Sequence, residues 1–388
     1  MANYSYGRKK RYKIKYKNLS ILLAILLIII LLIAKGCSAI FSGRDDKKKP
    51  DRDNTLTSGD ISPDDLPDIN LPAADPATQS YYTFTSESHT SADIGEGLLA
   101  LVNSNTPYRG SVTEDDLVVI REKKNSAYSV RDYTVKVLPE PMDALNSMLL
   151  AFYTATGNDG VMVRAGYRTL EYQQELYDNE LKSTGQESST SVAKAGYSEY
   201  HTGLCVDFTT YRNGTYKEFT GTGDYQWIND NCYKYGFVNR YPAGKESLTF
   251  TDAKPDHFRY VGIPHATVMQ NYGFCLEEYI EFVRNYTIDT GFLSVTTDDG
   301  SQYMIYYVPM TDSQISETTN VYVPLKNVEP SITYPYEISG NNVDGWIVTF
   351  LFSEGNSITT IPQVTAPEDD TAPADGGEET PDPNTPAE

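Results

Sequence analysis

Histidine is scarce in this chain: His89, His201, His257 and His265 are the four among 388 residues. An imidazole ligates metals or moves protons near neutral pH, and a neighbouring carboxylate fixes its tautomer or shares its ion. Two of the four sit among such neighbours. One stretch is Gly196-Tyr197-Ser198-Glu199-Tyr200-His201-Thr202-Gly203-Leu204-Cys205-Val206-Asp207. The other is Lys254-Pro255-Asp256-His257-Phe258-Arg259-Tyr260-Val261-Gly262. Upstream, Arg164-Ala165-Gly166-Tyr167-Arg168-Thr169 is followed by Gln173. Metal ligation, proton transfer and recognition of a charged substrate are the chemistries such groups serve. A pair of His residues alone would mean little. His265 reads as a packed residue before the last helix and His89 as part of a mobile lead-in. The cysteines Cys37, Cys205, Cys232 and Cys275 follow no zinc-ribbon spacing and read as isolated buried thiols, with Cys232–Cys275 pairing left open.

In this order the three stretches resemble the VanY-type zinc D-alanyl-D-alanine carboxypeptidases. Leu101-Val102-Asn103, Tyr235-Gly236-Phe237, Arg240-Tyr241-Pro242 and Leu276-Glu277-Glu278-Tyr279 extend the likeness over roughly residues 95–285. The resemblance implies a zinc ion held by His, Asp and His with a water in the fourth position. The family's motifs are Ser-x-His-x-x-Gly-x-Ala-x-Asp and a later Glu-x-x-His, whose Glu is the base. Zinc lowers the pKa of its water, the Glu takes the proton, and an Arg steadies charge on the peptide. Residue by residue, Arg168, Gln173, Ser198, Asp207 and His257 match positions concerned with substrate or metal.

Two positions depart from the pattern. Alignment on Ser198, Gly203 and Asp207 puts Tyr200 at the first ligand position and His201 one residue later. In extended chain a one-residue shift turns a side chain to the opposite face. The base position holds Lys254, an ammonium with three donors and no acceptor. A rebuilt zinc site would need Tyr200 as a phenolate or His201 turned inward, with Asp256 or Glu199 as base. The alternative for Asp207 and His257 is a polar pair tying two strands, and for Arg168 a salt bridge to Asp207.

The elements that must hold these groups are legible in part. Met142, Leu145, Met148, Leu149 and Phe152 recur at helical spacing behind Pro139-Glu140-Pro141. Val161-Met162-Val163 predicts a strand, and helices are expected over Leu170–Leu181 and Leu276–Val283. After Thr287, Leu293–Thr297, Tyr303–Val308, Val321–Val323, Ile332–Tyr336 and Trp346–Phe352 predict strands. Asp298-Asp299-Gly300, Gly340-Asn341-Asn342 and Asp344-Gly345 supply turns between them.

Residues 1–17 carry seven Lys and Arg and no acid; removing those seven from the net −21 leaves −28 for the rest. So acidic a remainder should repel nucleic acid, whose affinity comes mostly from phosphate neutralisation. Leu19 to Ala34 is apolar apart from Ser20 and spans roughly 24 Å as a helix. Extension to Phe41 reaches membrane thickness if Lys35 snorkels, and the preceding cations place the N-terminus in the cytoplasm. Cleavage as a signal peptide, or acylation at Cys37, would also export the domain.

The expected organisation is a basic cytoplasmic segment (1–18), a transmembrane anchor (19–41) and a disordered stalk (42–80). A VanY-like domain (81–286), a small β domain (287–362) and a disordered acidic tail (363–388) follow. The fold class expected is α+β: a zinc DD-carboxypeptidase-like domain with a small antiparallel sheet, then a small all-β domain, behind one N-terminal transmembrane helix. The function expected is a single-pass cell-membrane protein facing the wall. It would act on or bind peptidoglycan stem peptides ending in D-Ala-D-Ala, with catalysis impaired by Tyr200 and Lys254. An active zinc enzyme with a rebuilt site and an envelope scaffold using the β domain and tail are the alternatives.

Overall fold

The computed structural model describes residues 82–312, 316–328 and 330–355. The expected basic segment, anchor, stalk and acidic tail lie outside them. No helix among the described residues is long and apolar enough to cross a membrane.

The chain enters on β1 (Thr83–Thr90). Two-residue strands β2 (Val118–Val119) and β4 (Lys136–Val137) pair antiparallel, and β3 (Ser129–Val130) lies parallel to β5 (Val161–Ala165). Four helices of eight or more residues follow among the described residues: α1 (Pro139–Thr156), α2 (Leu170–Thr184), α3 (Ile263–Tyr272) and α4 (Leu276–Val283). The site-bearing sheet runs β3-β5-β6-β9-β8, with β7 on the far end of β6. Here β6 is Cys205–Arg212, β7 Thr215–Glu218, β8 Phe237–Tyr241 and β9 Lys254–Tyr260. Apart from β3 with β5, its pairings are antiparallel.

The face of α1 predicted from its periodicity is the buried one: Met142, Leu145, Met148, Leu149 and Phe152 pack on Val161, Val163, Val206 and Phe208 of the sheet. Proline opens the helix, where a missing N–H costs nothing, and Gly157 ends it in left-handed conformation.

After residue 287, β10 (Leu293–Thr296), β11 (Gln302–Pro309), β13 (Tyr336–Gly340) and β14 (Gly345–Ser353) form an antiparallel sheet in the order β10-β11-β14-β13. The strand expected at Ile332–Tyr336 instead begins at Tyr336, because Pro335 has no N–H to give a ladder. β12 (Thr318–Leu325) pairs with β1 over eight residues, so His89 sits in a strand, against Trp346, and not in a mobile lead-in. Leu293, Val295, Ile305 and Ile347 share one core with Leu99, Val261, Met269, Leu276 and Tyr279. The β part and the site-bearing part are thus packed together through apolar surface. His265 lies in that seam, with Nδ1 2.5 Å from the Tyr279 hydroxyl and Nε2 3.1 Å from Thr349 Oγ1.

The seam also contains Glu337 of β13. Burial, reinforced by the Glu140 charge, pushes its carboxyl up to about 7. The folded protein therefore holds a proton that the unfolded chain has lost above pH 4.5. Stability from this group is full below pH 4.5 and declines as pH rises through 7. Glu337→Gln is expected to stabilise the protein by about 2 kcal/mol at pH 8 and not at pH 4. Chemical denaturation at the two pH values measures this; equal effects at both would contradict it.

Candidate active site

The turn carrying Tyr200 is fixed by Gly203. A 3-10 turn over Glu199–Thr202 ends at Gly203 with φ 67°, a conformation that penalises any side chain. A Cβ there would stand 2.9 Å from Leu117 Cδ2. The chain then enters β6, whose register with β9 sets Asp207 opposite His257. On the other side of β6, Val163 pairs with Phe208 and Ala165 with Asp207, so Arg164 is the extra residue of a bulge. Bulges re-aim side chains, and this one brings Arg164 to the end of β6.

Tyr200, Asp207 and His257 meet in a buried knot. The Tyr200 hydroxyl donates to the Asp207 carboxylate, 2.8 and 2.7 Å from its two oxygens. His257 Nδ1 is 2.8 Å from Asp207 Oδ1 and 3.2 Å from the Tyr200 oxygen. Arg164 Nη2 reaches Asp207 Oδ2 at 3.2 Å and Asp256 Oδ2 at 2.7 Å. Asp207 is therefore partnered by Arg164, and the Arg168 salt bridge weighed from the sequence does not form. Burial and the Asp207 charge push the Tyr200 phenol well up, which keeps it a protonated donor. Burial alone would lower the His257 pKa; Asp207 on one nitrogen, with Cys205 and Glu199 near the other, raises it well above its ordinary value.

His201 does not turn inward. Its Nε2 accepts from the Gly196 N–H at 3.0 Å, so Nδ1 carries the proton and donates to the Arg168 carbonyl at 2.9 Å. This neutral tautomer suits the direction of its pKa, which burial lowers. Its role is to tie two loops of the cleft together.

Glu199 and Asp256, the two substitute bases, are also engaged. Glu199 Oε1 accepts from Arg240 Nε at 2.6 Å and lies 3.3 Å from Arg259 Nη1. Burial would raise this carboxyl, but the two guanidiniums outweigh it and hold it well below the usual range. Arg240 also grips Glu277 with two bonds, of 2.8 and 2.7 Å. Sequence reasoning missed this buried network. Its signal was an arginine within each of two largely apolar or aromatic segments, Val238–Tyr241, where Asn239 is the other polar residue, and Phe258–Val261.

Glu199, Cys205 and His257 do bring three ligand-type atoms within 4.8 Å of one another. The two guanidiniums already on Glu199 put positive charge where a cation would approach, so the cluster reads as part of the ion network. Cys205, Cys232 and Cys275 are all unpaired and buried.

In front of the knot lies a cavity of ≈ 420 Å³, lined among others by Arg164, Arg168, Gln173, Ser198, Tyr200 and Lys254. The Arg168 guanidinium stacks 3.6 Å from the Tyr200 ring centre and donates to Gln173 Oε1 at 3.2 Å. Gln173 in turn donates to the Ala193 carbonyl at 2.6 Å. Lys254 Nζ donates to the Ser191 carbonyl at 2.6 Å. The cleft thus gathers Arg168, Gln173, Ser198, Tyr200, Asp207 and Lys254, while His257 is buried beside Asp207 without lining the cavity and His201 and Glu199 are held by structural partners.

A family model described as D-alanyl-D-alanine carboxypeptidase, VanY, matches residues 136–263. A D-alanyl-D-alanine carboxypeptidase of Enterococcus faecium is 31% identical over 270 residues, which is 67% of this chain and 77% of that protein. That span is longer than the 95–285 carried by the motifs. The putative carboxypeptidase YodJ of Bacillus subtilis strain 168 is 36% identical over 194 residues, 49% of this chain and 69% of that one. The crystal structure of the vancomycin-resistance D,D-dipeptidase VanXYg, in complex with a D-Ala-D-Ala phosphinate analogue, is similar at 30% identity. Its TM-score is 0.59, covering 69% of this chain and 99% of that one. Fold and site together define a mixed α+β protein of the peptidoglycan-carboxypeptidase kind. The chain belongs to the VanY family of D-alanyl-D-alanine carboxypeptidases.

Proposed function

We propose that this chain is a wall-facing, membrane-anchored member of the family that binds peptidoglycan stem peptides in the cleft and does not hydrolyse them. The single observation that carries the reading is the Tyr200 hydroxyl, hydrogen-bonded to both oxygens of Asp207 beside His257.

A resident zinc ion does not fit this donor set. Zinc takes its nitrogen and oxygen ligands at about 2.0–2.2 Å and spreads them tetrahedrally. Here Asp207 and His257 are joined directly at 2.8 Å, and the phenol oxygen stands at hydrogen-bonding distance from both. The positive charge facing Asp207 comes from Arg164 and the protonated His257. At the base position Lys254 has no lone pair to offer while protonated.

What remains is a recognition surface. Arg168 presents a planar donor fork to the cavity, and Ser198 and Gln173 line it. The anchor expected over 19–41 would hold this cleft outside the membrane, near its ligand.

Zinc is expected to leave the melting temperature unchanged, and so is a chelator. A native-state ligand at a hundred times its Kd contributes about 2.7 kcal/mol, several degrees for a protein of this size. A zinc-dependent rise of about 5 °C or more would contradict the reading. The peptide half is tested by calorimetry with a pentapeptide stem ending in D-Ala-D-Ala. Saturable binding, weakened about tenfold or more by Arg168→Ala, is expected; a failure of the unaltered protein to bind either this stem or the tetrapeptide stem overturns it.

A further inference from the structure

Two cations in the cavity are neutralised by no carboxylate among the described residues. Arg168 bonds through its side chain to the neutral Gln173 and lies over the Tyr200 ring. Lys254 Nζ donates to the Ser191 carbonyl and stands 5.7 Å from the Tyr241 ring centre. The acids nearby are held by other groups. Asp207 and Asp256 bind Arg164, Glu199 binds Arg240 and Arg259, and Glu180 accepts from Ser191 Oγ at 2.8 Å. Both cations line the same ≈ 420 Å³ space. Sheltered positive charge without a counter-charge is costly, and an anion bound between the two would offset that cost.

Position 254 also fixes where along a peptide the anion would lie. A general base must reach its water, and that water must reach the carbonyl to be cut. The family's base position is therefore about one water away from the scissile carbonyl. A glutamate there repels a carboxylate; the ammonium of Lys254 attracts one.

We propose that Lys254 and Arg168 form a receptor for a peptide's terminal carboxylate placed where the family's scissile amide would lie. The cleft then prefers stems already trimmed to a single terminal D-Ala over stems ending in D-Ala-D-Ala. This rests on the reading of the cleft as a stem-peptide site and names its ligand register. No bond is made or broken.

Direction of the Lys254 pKa agrees with the need for an anion. Burial lowers it, and although Asp207 and Asp256 act the other way, Arg168 and Arg164 add to the lowering.

The test is calorimetry on the full-length protein with three probes: a tetrapeptide stem ending in one D-Ala, its C-terminal amide, and the pentapeptide ending in D-Ala-D-Ala. The acid should bind about tenfold or more tighter than its amide, and tighter than the pentapeptide. Lys254→Met should remove the acid's advantage over the amide, and Lys254→Glu should reverse it. The acid–amide comparison uses the unaltered protein and so stands whatever the variants' stability. Equal affinities for acid and amide, a preference for the pentapeptide, or an acid advantage that survives in folded Lys254→Met would overturn the carboxylate register while leaving stem binding intact. If none of the three binds, the stem-binding reading falls, and this inference with it.

Discussion

Replacing Tyr200 with His and Lys254 with Glu in one protein is expected to create a zinc-dependent D-alanyl-D-alanine carboxypeptidase. The phenol oxygen now stands 2.7–2.8 Å from both Asp207 oxygens. An imidazole ends short of that point and leaves room for an ion ligated at about 2.0–2.2 Å. With Asp207 and a deprotonated His257 it would complete a three-ligand set, since metal binding displaces the proton from His257. Tyr200→His alone should bind about one zinc per chain, the three-ligand stoichiometry of a catalytic site, yet turn over poorly. Adding Lys254→Glu should then raise D-alanine release by about 10²–10⁴-fold, the usual contribution of a general base. Lys254→Glu alone should release no D-alanine, because it adds no metal ligand. A folded double variant that stays zinc-free or inert would overturn the proposal that these two side chains exclude zinc and hydrolysis.

The second large effect concerns stability. Arg240 is fully buried and links Glu199 to Glu277 with three short bonds. Arg240→Met would leave two buried carboxylates facing a guanidinium, Arg259, that reaches only one of them. Breaking a buried ion network by removing one partner typically costs about 3–5 kcal/mol. The melting temperature is therefore expected to fall by roughly 6–20 °C. Because Glu199 adjoins Tyr200 in the 3-10 turn, the knot at Asp207 should loosen at the same time. Urea denaturation of Arg240→Met measures the loss, and a change under about 1 kcal/mol would show the network to be structurally idle.

The parts of the fold that local pattern could show are those with short-range periodicity. The apolar stripe of α1, the strand at Val161 and the turn at Asp298-Asp299-Gly300 each follow from spacing within a few residues. The pairing of β1 with β12 joins residues more than two hundred apart, and nothing in Thr83–Thr90, polar apart from Phe84, marks it. The same holds for the seam that unites the β part with α3 and α4. Its apolar residues look alike whether they face their own sheet or a neighbour.

At the site, the resemblance to the family's motifs implied that Tyr200, Asp207, His257 and Lys254 share one site; Tyr200, Asp207 and His257 meet in the knot, and Lys254 lines the cavity in front of it. The sequence did not reveal that Arg164, and not Arg168, would meet Asp207. That depends on a one-residue bulge in β5, a feature of strand pairing that no local signal specifies. His201 illustrates the reverse. Its residue type suggested a ligand, but its place in the turn directs both ring nitrogens to backbone groups.

The most direct test of the central claim is D-alanine release from a pentapeptide stem by the unaltered full-length protein, in excess zinc and at near-stoichiometric enzyme. No release above the protein-free rate is predicted. Release that disappears in His257→Ala would show a working metal site around Asp207, and the account of a cleft that binds without cutting would be wrong.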